Sequence, residues 1–159
     1  MSQVGEIAAL WHAGWTDGHL GHVPDELIEH RQADEFERRT ATRIADTTVA
    51  VDQATGVVVG FVVVRADEVE QVYVSTSWRG TDVATRLLAC AEVPIARHHR
   101  VAWLAVVAGN TRARRFYERC GWCDCGDYDN VAEISDGTMI VPSRRYEKSL
   151  SAGVEGAAP

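Results

Sequence analysis

Residues 68–88 read EVEQVYVSTSWRGTDVATRLL. The first seven are rich in β-branched residues and carry a tyrosine, the composition of a strand, with Glu68, Glu70, Val72 and Val74 expected on one face and Val69, Gln71 and Tyr73 on the other. From Val83 the pattern changes. Val83, Leu87, Leu88, Ala91 and Ile95 recur at helical spacing, and Pro94 should kink or tighten the helix near its end. VAWLAVV (101–107) then reads as a central strand covered on both faces. A strand, a helix and a second strand in this order form a crossover, so the two strands are expected to be parallel neighbours in a mixed sheet.

The rest of the chain is built around that unit. Val4, Ile7, Ala8, Trp11 and Trp15 mark a first helix, and Gly14, Gly18 and Gly21 are read as opening the loop that ends at Pro24. A second helical region starts at Asp25 and is expected to break near Gln32 to Asp34, where its periodicity is poor. TTVAVDQ (47–53) and VVVGFVVVRA (57–66) read as a hairpin. Thr111 to Arg119 reads as a helix packed through Ala113, Phe116, Tyr117 and Cys120 and capped by Gly121. WCDCGDYD (122–129) and TMIVPSRRYEKSL (138–150) supply two closing strands. Residues 1–150 make one domain, and 151–159 are expected to form a tail without fixed structure.

With 16 Lys and Arg against 23 Asp and Glu, the net charge is -7. No dense basic stripe is present, which argues against nucleic acid, and no apolar run is long enough for a membrane. The N-terminus lacks the form of a signal peptide, so a cytoplasmic location is expected. CGWCDCG (120–126), with His98 or His99, has some zinc-ligand character but lacks a second ligand pair. Free thiols and no metal are the expectation. If the chain self-associates, a homodimer is the commonest arrangement.

The loop from Val74 to Val83 delivers free N–H groups at a helix N-terminus, where an anion is stabilised. Gly80 permits close approach and Arg79 adds a cation. The loop matches neither a P-loop nor a dinucleotide fingerprint. Its neighbours narrow the reading. EVEQVYVS, WRGTDVATRLL, VAWLAVV, NTRARRFYERCGW and RRYEKSL, in that order, resemble the GNAT superfamily of acyl-CoA N-acyltransferases over residues 4–150. That family has Arg/Gln-x-x-Gly-x-Gly/Ala at this loop, which becomes Arg79, Gly80, Thr81, Asp82, Val83 and Ala84 here. Its second motif is met by Asn110, Ala113, Phe116, Tyr117, Gly121 and Trp122, with Trp in place of the usual Phe.

The resemblance implies an α/β fold of α+β type: a mixed, mostly antiparallel sheet with helices on both faces. The family's chain usually opens with a short strand. This sequence starts almost at a helix, so either that first strand is missing or the start lies upstream. Acetyl-CoA is the implied co-substrate, its pyrophosphate on the backbone of Arg79 to Ala84 with Thr85 donating. Its pantetheine arm would pair with Val72, Tyr73 and Val74, beside Asn110 and Ala113. An N–H near Val74 would stabilise the oxyanion. Glu68 or Glu70 would act as base and Tyr117, with an ordinary phenol pKa, as acid.

The acceptor is a small-molecule or peptide amine, expected near Trp15, His19 and His22, and the acidic balance mildly favours a cationic one. Asp82 stands where the family has Gly. A carboxylate there is expected to cap the helix and compete with phosphate for the same N–H groups. Together with the missing first strand, that departure keeps a second class open, a GNAT-fold sensor or binding module that holds an acyl-CoA weakly or not at all.

Overall fold

The computed structural model describes residues 2–151; Met1 and residues 152–159, most of the expected tail, lie outside them. Val58 to Val63 are all buried, so this strand is covered on both faces. It is β2 (Val58–Arg65), flanked by β1 (Thr47–Val51) and β3 (Glu68–Val74). β4 (Val101–Val107), β5 (Cys123–Ile134) and β6 (Gly137–Ser149) complete a six-stranded sheet in the order β1-β2-β3-β4-β6-β5. Every pairing is antiparallel except β3 with β4, which is parallel as the crossover requires. α1 (Gln3–His19), α2 (Asp25–Glu29) and α3 (Ala33–Arg43) cover one face. α4 (Val83–Ala96) and α5 (Thr111–Arg119) cover the other. The fold is thus the expected mixed, mostly antiparallel sheet between helices. No strand precedes α1 among the described residues.

α1 is longer than its sequence suggests. Ser2 caps it by accepting the Gly5 N–H at 3.2 Å, and it continues through Gly14 and Gly18, where the sequence suggests a loop. Glycine usually weakens a helix. Here a side chain would obstruct packing: a Cβ on Gly14 would strike the Tyr73 ring, and one on Gly18 would stand 2.8 Å from Asn110 Nδ2. His19 therefore sits in the last turn of a helix, not on a mobile loop. The break in the second helical region falls at residues 30–32, just ahead of its expected place.

A second departure lies in β3. Gln71 pairs with Val63, but Val69 pairs with Val64, so Glu70 is an extra, bulged residue. A bulge reverses the alternation beyond it. Val69 consequently joins Val72 and Val74 in the core beneath α4. Glu68 and Glu70 turn instead toward the α1–α3 face, where Tyr73 packs. The strict alternation expected from the sequence breaks at this position.

β5 also runs past its expected end at Asp129. Ala132, Ile134 and Met139, at the far end of the β5–β6 hairpin, pack against the α1–α3 core. The polar residues Asp129, Asn130 and Glu133 hide this extension in the sequence.

A Gly-to-Ala change inside a helix ordinarily stabilises by about 1 kcal/mol. At Gly14 the opposite is expected. Gly14→Ala should lower unfolding stability by about 1–3 kcal/mol, the range for overpacking, as measured by denaturant titration.

Candidate active site

β3 and β4 share a single bridge, Glu68 with Trp103. Beside it the Trp103 N–H donates to the Asp67 carbonyl at 3.0 Å, and the Trp103 indole to the Asp67 carboxylate at 3.2 Å. Beyond that point the strands diverge. Hydrogen bonds of an antiparallel pair point alternately toward and away from the partner strand. Ser75 donates to Val59 across β2 and β3 at 2.9 Å, and the alternation then turns the N–H and C=O of Val72 and Val74 into the gap. Those of Tyr73 turn toward β2, so the Tyr73 backbone, contrary to expectation, does not face the gap.

A cavity opens on each side of this gap: about 490 Å³ beneath α1 and α3, and about 570 Å³ between α4 and α5. Val72, Tyr73, Asn110, Ala113 and Tyr117 line both. The two cavities therefore meet through the sheet.

The α4–α5 cavity ends at the glycine loop. Arg79, Gly80, Thr81, Ala84 and Thr85 line it. Gly80 has φ +76, a left-handed conformation that favours glycine. Asp82 has φ -81, so nothing in its backbone calls for glycine. Its carboxylate makes no capping bond and is 73 % exposed, 3.9 Å from Arg86. The expected competition for the helix N–H groups does not occur, because the side chain points outward. Val83 packs into the core instead of lining the cavity.

A different acid faces the loop's cations. Asp17 on α1 lies 2.8 Å from both Arg79 and Arg112. Arg112's hydrogen bond, with the charge and hydrogen bond of Arg79, holds the Asp17 carboxyl below the usual range.

α5 fixes the side chains at the junction. Asn110 accepts the Ala113 N–H at 3.2 Å and so caps the helix. Gly121, at φ +85, closes the other end, and the Trp122 N–H returns to the Tyr117 carbonyl at 3.0 Å. Tyr117 packs near Phe116, Trp122 and Tyr146. Burial pushes its phenol well above the ordinary value of 10.0, with Cys120 adding to the shift. The expected unshifted phenol is thus corrected: Tyr117 keeps its proton throughout the neutral and mildly alkaline range.

On the other side, Glu68 and Glu70 part company. Glu70 accepts from Arg43 through both oxygens at 2.8–3.0 Å. Burial, followed by the charge of Glu70, pushes Glu68 up to about 7. That value suits proton transfer near neutrality.

Trp15 and His19 line this cavity, stacked 4.6 Å apart. His19 Nδ1 lies 2.8 Å from the Trp15 carbonyl, which can only accept, so Nδ1 holds the proton. Burial lowers the His19 pKa to about 4. The ring is neutral at neutral pH, with Nε2 free of the proton. His22 is exposed, packs against Gly109, and does not line the cavity.

Several lining residues escaped the sequence reading. Arg31, Arg39 and Arg43 come from α3 and the turn before it, and Trp103 and Tyr128 from β4 and β5. One signal was available: Phe36, Arg39, Thr40 and Arg43 recur at helical spacing, which places arginines in an inward stripe. Of the free cysteines, Cys90, Cys123 and Cys125 are exposed and Cys120 is partly buried.

The sequence model of the acetyltransferase (GNAT) family matches residues 7–122. No curated protein matches the sequence. Among solved structures, a GCN5-related N-acetyltransferase from Rhodopseudomonas palustris superposes with a TM-score of 0.70 at 23% identity, covering 92% of this chain and 89% of that one. An aminoglycoside 6'-N-acetyltransferase complexed with coenzyme A gives 0.63 at 17% identity, covering 92% and 89%. A phosphinothricin acetyltransferase from Sinorhizobium meliloti, in complex with AcCoA, gives 0.56 at 17%, covering 80% and 75%. At these identities the superpositions speak for the fold.

The raised pKa of Glu68 has a consequence for stability. Its folded value of about 7 exceeds the ordinary 4.5. The contribution is fully present below about 4.5 and is lost as pH rises through about 7. Glu68→Gln should therefore unfold at a higher temperature than the wild type at pH 8, with the advantage shrinking toward pH 5, as read by thermal scans across pH.

Proposed function

The chain belongs to the acetyltransferase (GNAT) family, and from that membership we propose that it moves an acetyl group from acetyl-CoA to the primary amine of a small molecule or peptide by direct attack. One observation carries the reading: the gap between β3 and β4, where the two cavities meet. Acetyl-CoA enters from the α4–α5 side. Its pyrophosphate lies on the loop of Arg79 to Thr85, where backbone N–H groups and the helix dipole favour an anion. Its pantetheine arm runs along the inward-facing backbone of Val72 and Val74, beside Asn110 and Ala113, as an added strand would. The acceptor enters from the α1–α3 side.

At the junction the neutral amine attacks the thioester carbonyl carbon. The Val74 N–H, directed into the gap, stabilises the developing oxyanion. Glu68 takes the amine proton, directly or through water, because its carboxylate is not committed to an arginine. Glu70 serves Glu68 by its negative charge, which raises the neighbour's basicity. When the carbon–sulfur bond breaks, Tyr117 gives its proton to the departing thiolate. Burial keeps that proton in place at neutral pH, and the same dry surroundings raise the basicity of the departing thiolate that receives it.

A binding module without catalysis drew its support from Asp82 and from the absent first strand; the carboxylate faces solvent beside Arg86, while no strand precedes α1 among the described residues.

Calorimetry with acetyl-CoA, followed by thiol release over a panel of amines, tests the proposal. Saturable binding is expected, and no heat at millimolar acetyl-CoA would remove the reading. Asp82→Gly should alter the Kd by less than about twofold, since an exposed charge pair contributes little. kcat/KM should fall about tenfold per pH unit below about 7, the behaviour of one essential base. Glu68→Gln should remove that limb and reduce kcat/KM by about 10²–10⁴. Tyr117→Phe should lower kcat by about 10²-fold or more with little change in acetyl-CoA affinity.

A further inference from the structure

The cavity beneath α1 and α3 holds positive charge that its own carboxylates leave unanswered. Arg31 is only 5 % exposed and Arg39 only 8 %, and both line the cavity. Arg31 Nη1 and Arg39 Nε and Nη1 are shut off from solvent without a hydrogen-bond partner among the described residues. Buried arginines are normally paired, because an unanswered buried charge is costly. The Arg39 guanidinium carbon lies over the Trp11 ring at 5.1 Å, a contact that supplies no hydrogen-bond acceptor to its Nε and Nη1.

The acids whose charge reaches these two arginines, Glu35, Glu70 and Glu133, face other arginines. Both Glu35 oxygens accept from Arg38, at 2.8 and 3.0 Å, and the closer approach of Glu35 to Arg31 is 3.9 Å. Glu70 is held by Arg43. Glu133 is mostly exposed, 4.0 Å from Arg43. Burial and the charge of Arg39 together lower the Arg31 pKa to about 10. Two buried cations thus repel each other beside the cavity, and the nearest carboxylate, Glu35 at 3.9 Å from Arg31, accepts its hydrogen bonds from Arg38 instead.

We propose that the acceptor is an amine that also carries an anionic oxygen group, a zwitterion of the amino-acid kind, whose anion binds Arg31 and Arg39 while its amine is presented to Glu68. The guanidinium fork matches a carboxylate in geometry as well as charge. This names the acceptor class within the acetyl-transfer reading and rests on it. It reverses the preference for cationic acceptors that the net charge invited, because the charge of the pocket wall governs the ligand it meets. Glu68 faces the amine, and the arginines of α3 and the preceding turn face the acid.

Thermal unfolding of the full chain tests the pairing directly, since a ligand that binds the folded state raises the melting temperature. The twenty amino acids and simple aminophosphonates are compared with the matching amino-acid amides and decarboxylated amines. At least one acid should stabilise saturably, with an apparent Kd about tenfold or more below that of its amide, a difference of 1.4 kcal/mol. Arg31→Gln and Arg39→Gln should abolish the preference for the acid and leave the shift produced by acetyl-CoA in place.

Amides or decarboxylated amines that bind as well as the acids would overturn the proposal, as would a panel in which no acid stabilises. If either variant fails to fold, the wild-type comparison of acid with amide decides alone. Acceptor binding is read here without turnover, so its failure is distinct from that of acetyl transfer, which shows as the loss of acetyl-CoA binding or thiol release.

Discussion

The site depends on one interrupted ladder. Strands in mid-sheet normally satisfy each other's backbone groups along their whole length. β3 and β4 do so only at Glu68 and Trp103. The divergence leaves the N–H and C=O groups of Val72 and Val74 directed at a space that no strand among the described residues fills. Neighbouring elements hold that space open: β3 is anchored antiparallel to β2, and β4 is paired with β6 along its length. The gap is thus built in by rigid partners on both flanks. Both cavities, the shared lining and the reach from one face to the other follow from it.

The architecture was legible because it rests on local patterns. The crossover, the apolar central strand and the capped Asn110-to-Gly121 helix each appear in contiguous residues, and each is found where it was read. What escaped was tertiary in cause. Gly14 and Gly18 look like loop residues in one dimension; only the nearness of Tyr73 and Asn110 explains glycine inside α1. The bulge at Glu70 changes which neighbours face which layer without altering the composition of the strand. The orphaned guanidiniums of Arg31 and Arg39 look like ordinary surface charge on a polar helix until the cavity is seen beside them.

The loop's electrostatics show how position outweighs composition. Asp82 is adjacent in sequence to the N-terminus of α4, yet its charge is directed to water. Asp17 is more than sixty positions away in the chain and contacts both cations at the cavity's mouth. The negative charge conspicuous in the sequence is bystander to the site, while the one that engages it comes from the opposite layer. Net charge misleads for a related reason. An acidic protein encloses an arginine-walled chamber because its surplus carboxylates lie mostly elsewhere.

The single extra residue in β3 divides one strand between two masters. Positions after the bulge, Val72 and Val74, give their side chains to the core and their backbone to the gap, so they are constrained by packing whatever the partner molecule is. Glu68 before it and the extra residue itself, Glu70, present only side chains to the chamber beneath α1 and α3. A lineage could therefore revise the chamber's chemistry by point substitution, in those two positions and in α3, without disturbing the grip on the other face. The insertion serves as a boundary between inherited and adjustable parts of a single strand.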